Sequence, residues 1–394
     1  MIAFIGSGPH NLAALAFLLK ADPSLRSEVA VFDPSGAWLS RWNRQMEGQE
    51  IVHLRSSSVH HPDPDPLALR RFAQGRYDEF YPPYSLPGTA LFRQFCEDLI
   101  QRYDLAPLVR PHRIESLRPS GSGFVLGLDD GRQLPAQAVV SALGGGDRVW
   151  PAWAPAADAL TLVHSEEVDV RNLEGPPGKI LIVGGGLTAG HLALGALARG
   201  WTVDLVTRRP VNYKLFDSAP GWIGPKYMTG FHRETDWRRR RKMVARARGG
   251  GAMTEEIRDL LAPFRRSGAL RYYPRCEVKS LVKAGAGWLA DGGWGRALAA
   301  DRVWLCTGNK LDLKTHPLFE GLWNDHPLQM YDGLPLLEHD CRWPGLPLYF
   351  MGTPSALRIG PTARNFPGAR QAASRIAQSL TGVFVSPTDP SASP

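Results

Sequence analysis

The chain has 394 residues, 43% hydrophobic and 21% charged, which excludes a disordered or fibrous protein and allows two or three globular domains. No run of eighteen apolar residues offers a membrane span, and a strand pattern already under way at Ile2 leaves no room for a signal peptide. The net charge of +8 could suit nucleic acid, but no RNP, helix-turn-helix or zinc-finger pattern accompanies it, so no nucleic-acid partner is expected.

Four cysteines, Cys96, Cys276, Cys306 and Cys341, are scattered, with no C-x-x-C and no metal-ligand spacing. They predict no metal site, no redox pair and a reduced, cytoplasmic setting.

The first element is a βαβ unit. Ile2–Ile5 reads as a buried strand, Gly6-Ser7-Gly8-Pro9-His10-Asn11 as a tight turn, Asn11–Lys20 as a helix and Glu28–Phe32 as a second strand. The pattern is Gly6-x-Gly8-x-x-Asn11, with asparagine at the usual third glycine. Asp33 ends the second strand, where a carboxylate accepts hydrogen bonds from a ribose. Tyr81–Tyr103 starts as a proline-rich loop and continues as an amphipathic helix with Leu91, Phe95, Leu99 and Ile100 on one face. Short strands are expected across Arg110–Asp130, and a buried strand in Ala138–Gly146 ends in glycines.

Lys179–Arg209 repeats the device. Lys179–Val183 is a strand, Gly184-Gly185-Gly186 a turn, Leu187–Arg199 a helix, and Thr202–Thr207 a second strand. Gly184 permits the turn, Gly186 lets backbone approach a pyrophosphate, and Ala189 keeps helix and sheet close, with Thr188 in the helix's first turn. Arg208 and Arg209 stand where an NAD site carries an acid. Guanidinium forks suit a 2′-phosphate and cannot accept a hydrogen bond from a hydroxyl. The two turns therefore want different dinucleotides, and FAD at the first with NADPH at the second is the economical assignment.

Residues 210–267 form an insertion with loop-like aromatics between glycines and prolines. In it, Arg238-Arg239-Arg240-Arg241-Lys242 is expected to be a solvated helical face with one or two phosphate contacts. Leu270–Leu289 gives strands, Arg302–Gly308 a strand into a turn, and Leu348–Thr353 the final core strand. Gly360–Gly368 leads into a helix over Ala369–Leu380. From Thr381 onward the Ser/Pro-rich tail is expected to be disordered.

An FAD unit at the start with an NADPH unit inserted midway resembles the class B, two-dinucleotide-binding-domain flavoprotein monooxygenases. The turn Gly8-Pro9-His10-Asn11-Leu12 is similar to the G-P-x-N-L of the lysine and ornithine N-hydroxylases. Gly36-Ala37-Trp38 with Trp42 is similar to the G-x-W and second tryptophan of the flavin-containing monooxygenases, and His164-Ser165 to the H-S of their first linker. The resemblance spans residues 1–380.

It implies an α/β fold with two Rossmann-like domains. FAD would take residues 1–150 and 305–380, NADPH residues 151–304, and the tail 381–394. It also places Trp38, Trp42, His53, Leu54, Arg55, Gly352, Asn365 and Gly368 with Gly6, Gly8, Pro9, Asn11 and Asp33 at FAD. The helix N-terminus after Gly368 would face flavin N1 and O2.

Ser57, His60 and His61 become catalytic candidates by position, against the plainer alternative of turn formers and loop caps. The family's asparagine is absent from this stretch. Asp217 and Lys226 in the insertion become candidates for a charged substrate end. The implied activity is hydride transfer from NADPH to FAD, a flavin C4a-hydroperoxide formed with O2, and oxygenation of a soft nucleophile, foremost N-hydroxylation of an amine. A flavoprotein reductase without oxygen insertion and a redox sensor are the alternatives. A homo-oligomer is left open.

Overall fold

The apolar runs Ile2–Ile5, Val29–Phe32, Ala138–Ser141 and Leu348–Phe350 are buried along their whole length. Strands covered on both faces read this way, and they belong in parallel sheets. In the protein's structure, a computed structural model describing residues 1–158, 160–295 and 297–388, they form one five-stranded parallel sheet. Its order is 348–350, 138–141, 2–5, 29–32 and 109–110, with Ile2 paired to both Val29 and Ala138. The helix Pro9–Ala21 lies between this sheet and the helix Phe366–Thr381, so every residue from Asn11 to Leu19 is buried.

A second parallel sheet has the order 162–164, 302–305, 179–183, 202–207 and 270–274. Four strands match position for position, the strand before each glycine turn being central, while the remaining edge strand comes last in the first sheet and first in the second. Each also has a three-stranded antiparallel meander, at 114–136 and 280–300, directly before the strand that re-enters its sheet. The crossings run side by side, Asp147–Arg148 pairing with Asn309–Lys310.

His164 fastens this junction. It is buried, donates from Nε2 to the Gly308 carbonyl at 3.2 Å and accepts from the Glu166 amide at Nδ1, the neutral tautomer.

The insertion divides between the two bodies. Helices Pro225–Arg233 and Trp237–Arg248 leave the second sheet and put Met228, Phe231 and Val244 into the core around the first. Helix Glu255–Ser267 returns to the second, where Gly190 admits Ile257 so closely that a Cβ there would lie 2.6 Å from its Cγ2.

The cation run is not one solvated face. Arg240 is buried on Trp237 and Phe231 and donates to the carbonyls of Glu234 and His232 at 2.7 Å, while Arg238, Arg239 and Lys242 stay exposed.

The tail expectation is corrected for residues 381–388. Arg370 donates to the Pro387 carbonyl, Ser374 to that of Val385, and Val385 packs on the core. Residues 389–394 lie outside the described residues. No described helix is long and apolar enough to cross a membrane, and the four cysteines are free.

Candidate functional site

The first glycine turn holds its own shape. Gly6 has φ +92° and packs so tightly that a Cβ would meet the Ala142 carbonyl oxygen at 2.9 Å. Asn11 is buried and donates from Nδ2 to the carbonyls of Ile5 and Gly6, both at 2.7 Å. It thus does with hydrogen bonds what a third glycine does by leaving space. Gly8 caps the helix with no side chain of its own, Pro9 starts it, and nothing lies within 4 Å of a Cβ at Gly8. The N–H groups of the first turn are left for an anion.

Asp33 stands beside this mouth. Its Oδ2 accepts from the Ser7 amide at 3.0 Å and its Oδ1 from the Ser35 amide at 2.9 Å. Partial burial works against the charge, but the hydrogen bonds from Ser35 and Ser7 outweigh it and hold the carboxyl below its ordinary value.

His10 was not singled out by the sequence, although it lies within the G-P-x-N-L turn. It is half-exposed by area but enclosed by protein, and its Nε2 lies 3.3 Å from the Ala363 carbonyl. Its ring also approaches Gly352, whose Cβ would sit 3.9 Å from His10 Cδ2. Burial draws its pKa below the ordinary value against the Ala363 hydrogen bond, with the Arg364 charge adding to the fall. The first turn, Gly352 and the segment 360–368 therefore meet. Asn365 precedes the final helix, and Gly368 falls inside its first turn, where a Cβ would lie 2.3 Å from the Thr362 carbonyl oxygen. In the same bend the Thr362 hydroxyl is buried with no partner. An open helix end, a carboxylate at the next strand and an orphaned hydroxyl fit FAD, which these residues could hold.

The tryptophans separate. Trp38 is a core residue, its Nε1 donating to the Leu105 carbonyl at 3.0 Å, whereas Trp42 is half-buried against Phe92.

The second turn is held by its neighbours. Gly184 has φ +139°, and a Cβ would lie 2.3 Å from the Cys306 carbonyl oxygen. Ala189 is fully buried. Gly186 caps the helix Leu187–Ala198, with Thr188 half-buried in its first turn. Arg208 and Arg209 are exposed at the strand end, Arg208 only 3.8 Å from Glu277 and Arg209 without a charged partner among the described residues. Such exposed forks could hold a 2′-phosphate.

One segment of the insertion, unmarked in the sequence, links the bend beside the first turn to the second turn. Arg248 closes its helix and donates to the Pro361 carbonyl at 3.3 Å, in the bend beside His10. Three residues on, Gly251 lies against the second turn, where a Cβ would be 3.1 Å from Gly186 Cα. Residues 248–251 thus bridge the bend beside the first turn and the second turn, and the space along this bridge forms a cleft.

The loop after the tryptophans reaches this cleft in part. Arg55 donates to the carbonyls of Leu215 at 2.8 Å and Lys214 at 2.7 Å, and to Asp217 Oδ1 at 3.1 Å, tying the loop to the insertion. Leu54 is buried, and His53 stacks on Tyr81 with its Nε2 2.8 Å from Glu256.

The catalytic candidates do not converge. His61 is wholly buried, edge-on to Phe95 and within 3.1 Å of the Pro66 carbonyl, a core histidine whose pKa burial and then Arg370 push down to about 3. His60 is pushed down to about 4 by the same two causes. Ser57 is half-buried, and its carbonyl accepts from the His60 amide, the bond of a turn former. Asp217 and Lys226 are likewise apart. Asp217 faces Arg55 and Arg248, while Lys226 is exposed over its neighbour Tyr227.

An FAD-NAD(P)-binding family model matches residues 3–146. No curated protein matches the chain. Among solved structures the chain resembles an ornithine N-hydroxylase of Kutzneria sp. 744, at 16% identity over 96% of this chain and 98% of that one, with a TM-score of 0.78. It also resembles the cadaverine monooxygenase of Erwinia amylovora, at 17% over 98% and 96%, TM-score 0.76. The L-lysine 6-monooxygenase of Pseudomonas syringae follows at 18% over 96% and 98%, TM-score 0.73. The chain therefore has the fold of the class B flavin monooxygenases, opening with an FAD-NAD(P)-binding domain.

Proposed function

We propose that the protein is an NADPH- and FAD-dependent monooxygenase that hydroxylates an amine nitrogen of a small molecule. The observation that carries this is the pairing of two unlike glycine turns, an acid beside one and exposed guanidiniums beside the other, with residues 248–251 bridging from the bend beside the first to the second. In this reading Gly6, Gly8, Asp33, Asn365 and the Thr362 hydroxyl hold FAD, and Gly186, Thr188, Arg208 and Arg209 hold NADPH. Bound flavin supplies the redox chemistry, so the chain needs no nucleophile of its own. Its work is to orient two nucleotides and an amine and to keep water out. Arg55 and the Tyr84–Phe216 ring pair, with centroids 5.3 Å apart, hold the insertion over the loop for that purpose. An amine nucleophile is favoured by the G-P-x-N-L turn and by neighbours that act on ornithine, lysine and cadaverine.

The test is the purified protein with FAD, NADPH and a panel of diamines and basic amino acids. Coupled use of NADPH and O2 with a hydroxylamine product is expected. NADPH oxidation that yields only peroxide with every amine, or a protein that takes up no flavin, would refute it.

A further inference from the structure

We propose that Arg248 and Arg364 form an oxyanion-binding pair in the cleft, taking a carboxylate or phosphate group of a ligand; the placement rests on the monooxygenase reading. Arg248 lies at the end of the 248–251 bridge that touches the bend beside the first turn, with only 22% of its side chain exposed. A guanidinium has five N–H donors, and among the described residues this one makes a single hydrogen bond, to the Pro361 carbonyl at 3.3 Å. Its nearest acid is Asp217, and that carboxylate leans elsewhere. Asp217 Oδ1 is 3.1 Å from Arg55, whereas Oδ2 stays 3.6 Å from Arg248, beyond hydrogen-bond length.

The surroundings add charge of the same sign. Arg364, in the bend that Arg248 touches, is exposed and makes no hydrogen bond or ion pair among the described residues. Lys214 Nζ donates to the Arg248 carbonyl at 3.2 Å. Arg55 and Arg248 thus share one carboxylate, Asp217, and Lys214 and Arg364 add two more cations to the neighbourhood. Burial first, then Arg364, draw the Arg248 pKa down to about 10 in spite of Asp217, the sign of a cation short of anions.

One further group agrees. The hydroxyl of Ser218, next to Asp217, is buried and unpartnered among the described residues. Buried hydroxyls are normally bonded, and an oxyanion accepts from hydroxyls and guanidiniums alike.

The test titrates FAD-loaded protein calorimetrically with inorganic pyrophosphate, NADP+, L-lysine and cadaverine, comparing wild type with Arg248→Gln, Arg248→Lys and Arg364→Gln. Loss of a charge-assisted contact is expected to weaken binding about 10- to 100-fold. Weakening of L-lysine but not cadaverine assigns the pair to a substrate carboxylate. Weakening of NADP+ and pyrophosphate assigns it to the coenzyme. Arg248→Lys should recover part of either loss, because charge returns without the fork. Arg364→Gln alters an exposed side chain and probes the pair even if Arg248→Gln fails to fold. The pair is overturned if wild type binds none of the four probes, or if the glutamine variants stay within twofold of it. Anion binding through Arg248 without hydroxylated product would sink the monooxygenase reading and leave the pair standing.

Discussion

The two glycine turns each follow the central strand of a five-stranded parallel sheet, yet they are fastened by different forces. The first is closed from within, the Asn11 amide bonding back to Ile5 and Gly6. The second is closed from without. Ala189 stays small under its helix, Gly190 admits Ile257 and Met253, and Gly251 of the insertion lies on Gly186. A turn with one layer behind it can use a polar side chain to hold its shape. A turn that a second layer presses upon has room only for small residues. Their strand ends differ in the same sense, with Asp33 held by Ser7 and Ser35 and Arg208 and Arg209 left exposed.

The largest expected effect breaks the second turn. Gly184→Ala places a Cβ 2.3 Å from a backbone oxygen at a φ of +139°, so more than about 4 kcal/mol of stability should be lost, read as insoluble expression or a collapsed melting transition. Gly8→Ala in the first turn meets open space and should melt as wild type while weakening FAD retention. Next comes the inner fastening. Asn11→Ala removes two buried hydrogen bonds and leaves a cavity, at a cost of about 3 kcal/mol by urea unfolding. An equally mild Asn11→Ala would mean that the first turn, too, is held from outside.

How much of this the sequence disclosed follows from how local each signal is. Strand runs such as Ile2–Ile5 and Lys179–Val183, both turns and the unlike strand ends lie within thirty or so residues, and all are legible. Helix Ala369–Leu380 was legible too, though it begins at Phe366 because Gly368 packs on Thr362. The cleft was not. Arg248 meets Pro361 across 113 residues, and nothing near Arg248 marks it off from the other arginines of its helix. His61 looked reactive beside prolines and serines. Its burial comes from Phe95 and Arg370, which only the folded chain brings near. The tail's Ser/Pro composition concealed two carbonyls that Arg370 and Ser374 take up.

The buried imidazoles sharpen the contrast at the first unit's open end. His61 is held at about 3 and His60 at about 4, both below the ordinary 6.5 and both through burial first. Between pH 6.5 and 4 the unfolded chain takes up protons that the folded chain refuses, so stability falls as pH falls. His61→Gln should remove about 2 kcal/mol of the stability lost between pH 7.5 and pH 5, measured by urea midpoints at each pH. An unchanged acid limb would mean that His61 protonates in place and faces water.

The smallest effect concerns the strand ends. Arg208 and Arg209 are exposed, so replacing either by alanine should leave the melting temperature within about 1 °C of wild type. Each guanidinium that meets a 2′-phosphate strengthens NADPH binding over NADH by about 1.4 kcal/mol, or tenfold. Flavin reduction by the two coenzymes under anaerobic conditions reads this preference directly. Either single variant should lower it about tenfold, and the double variant should bring the two coenzymes close to parity. Glu277, 3.8 Å from Arg208, sets a control. Glu277→Gln should raise the preference slightly if Arg208 is the phosphate ligand, since it removes a competing acid. A preference that ignores all of these changes would show that the second strand end does not read the 2′-position, and the unlikeness of the two turns would then rest on Asp33 alone.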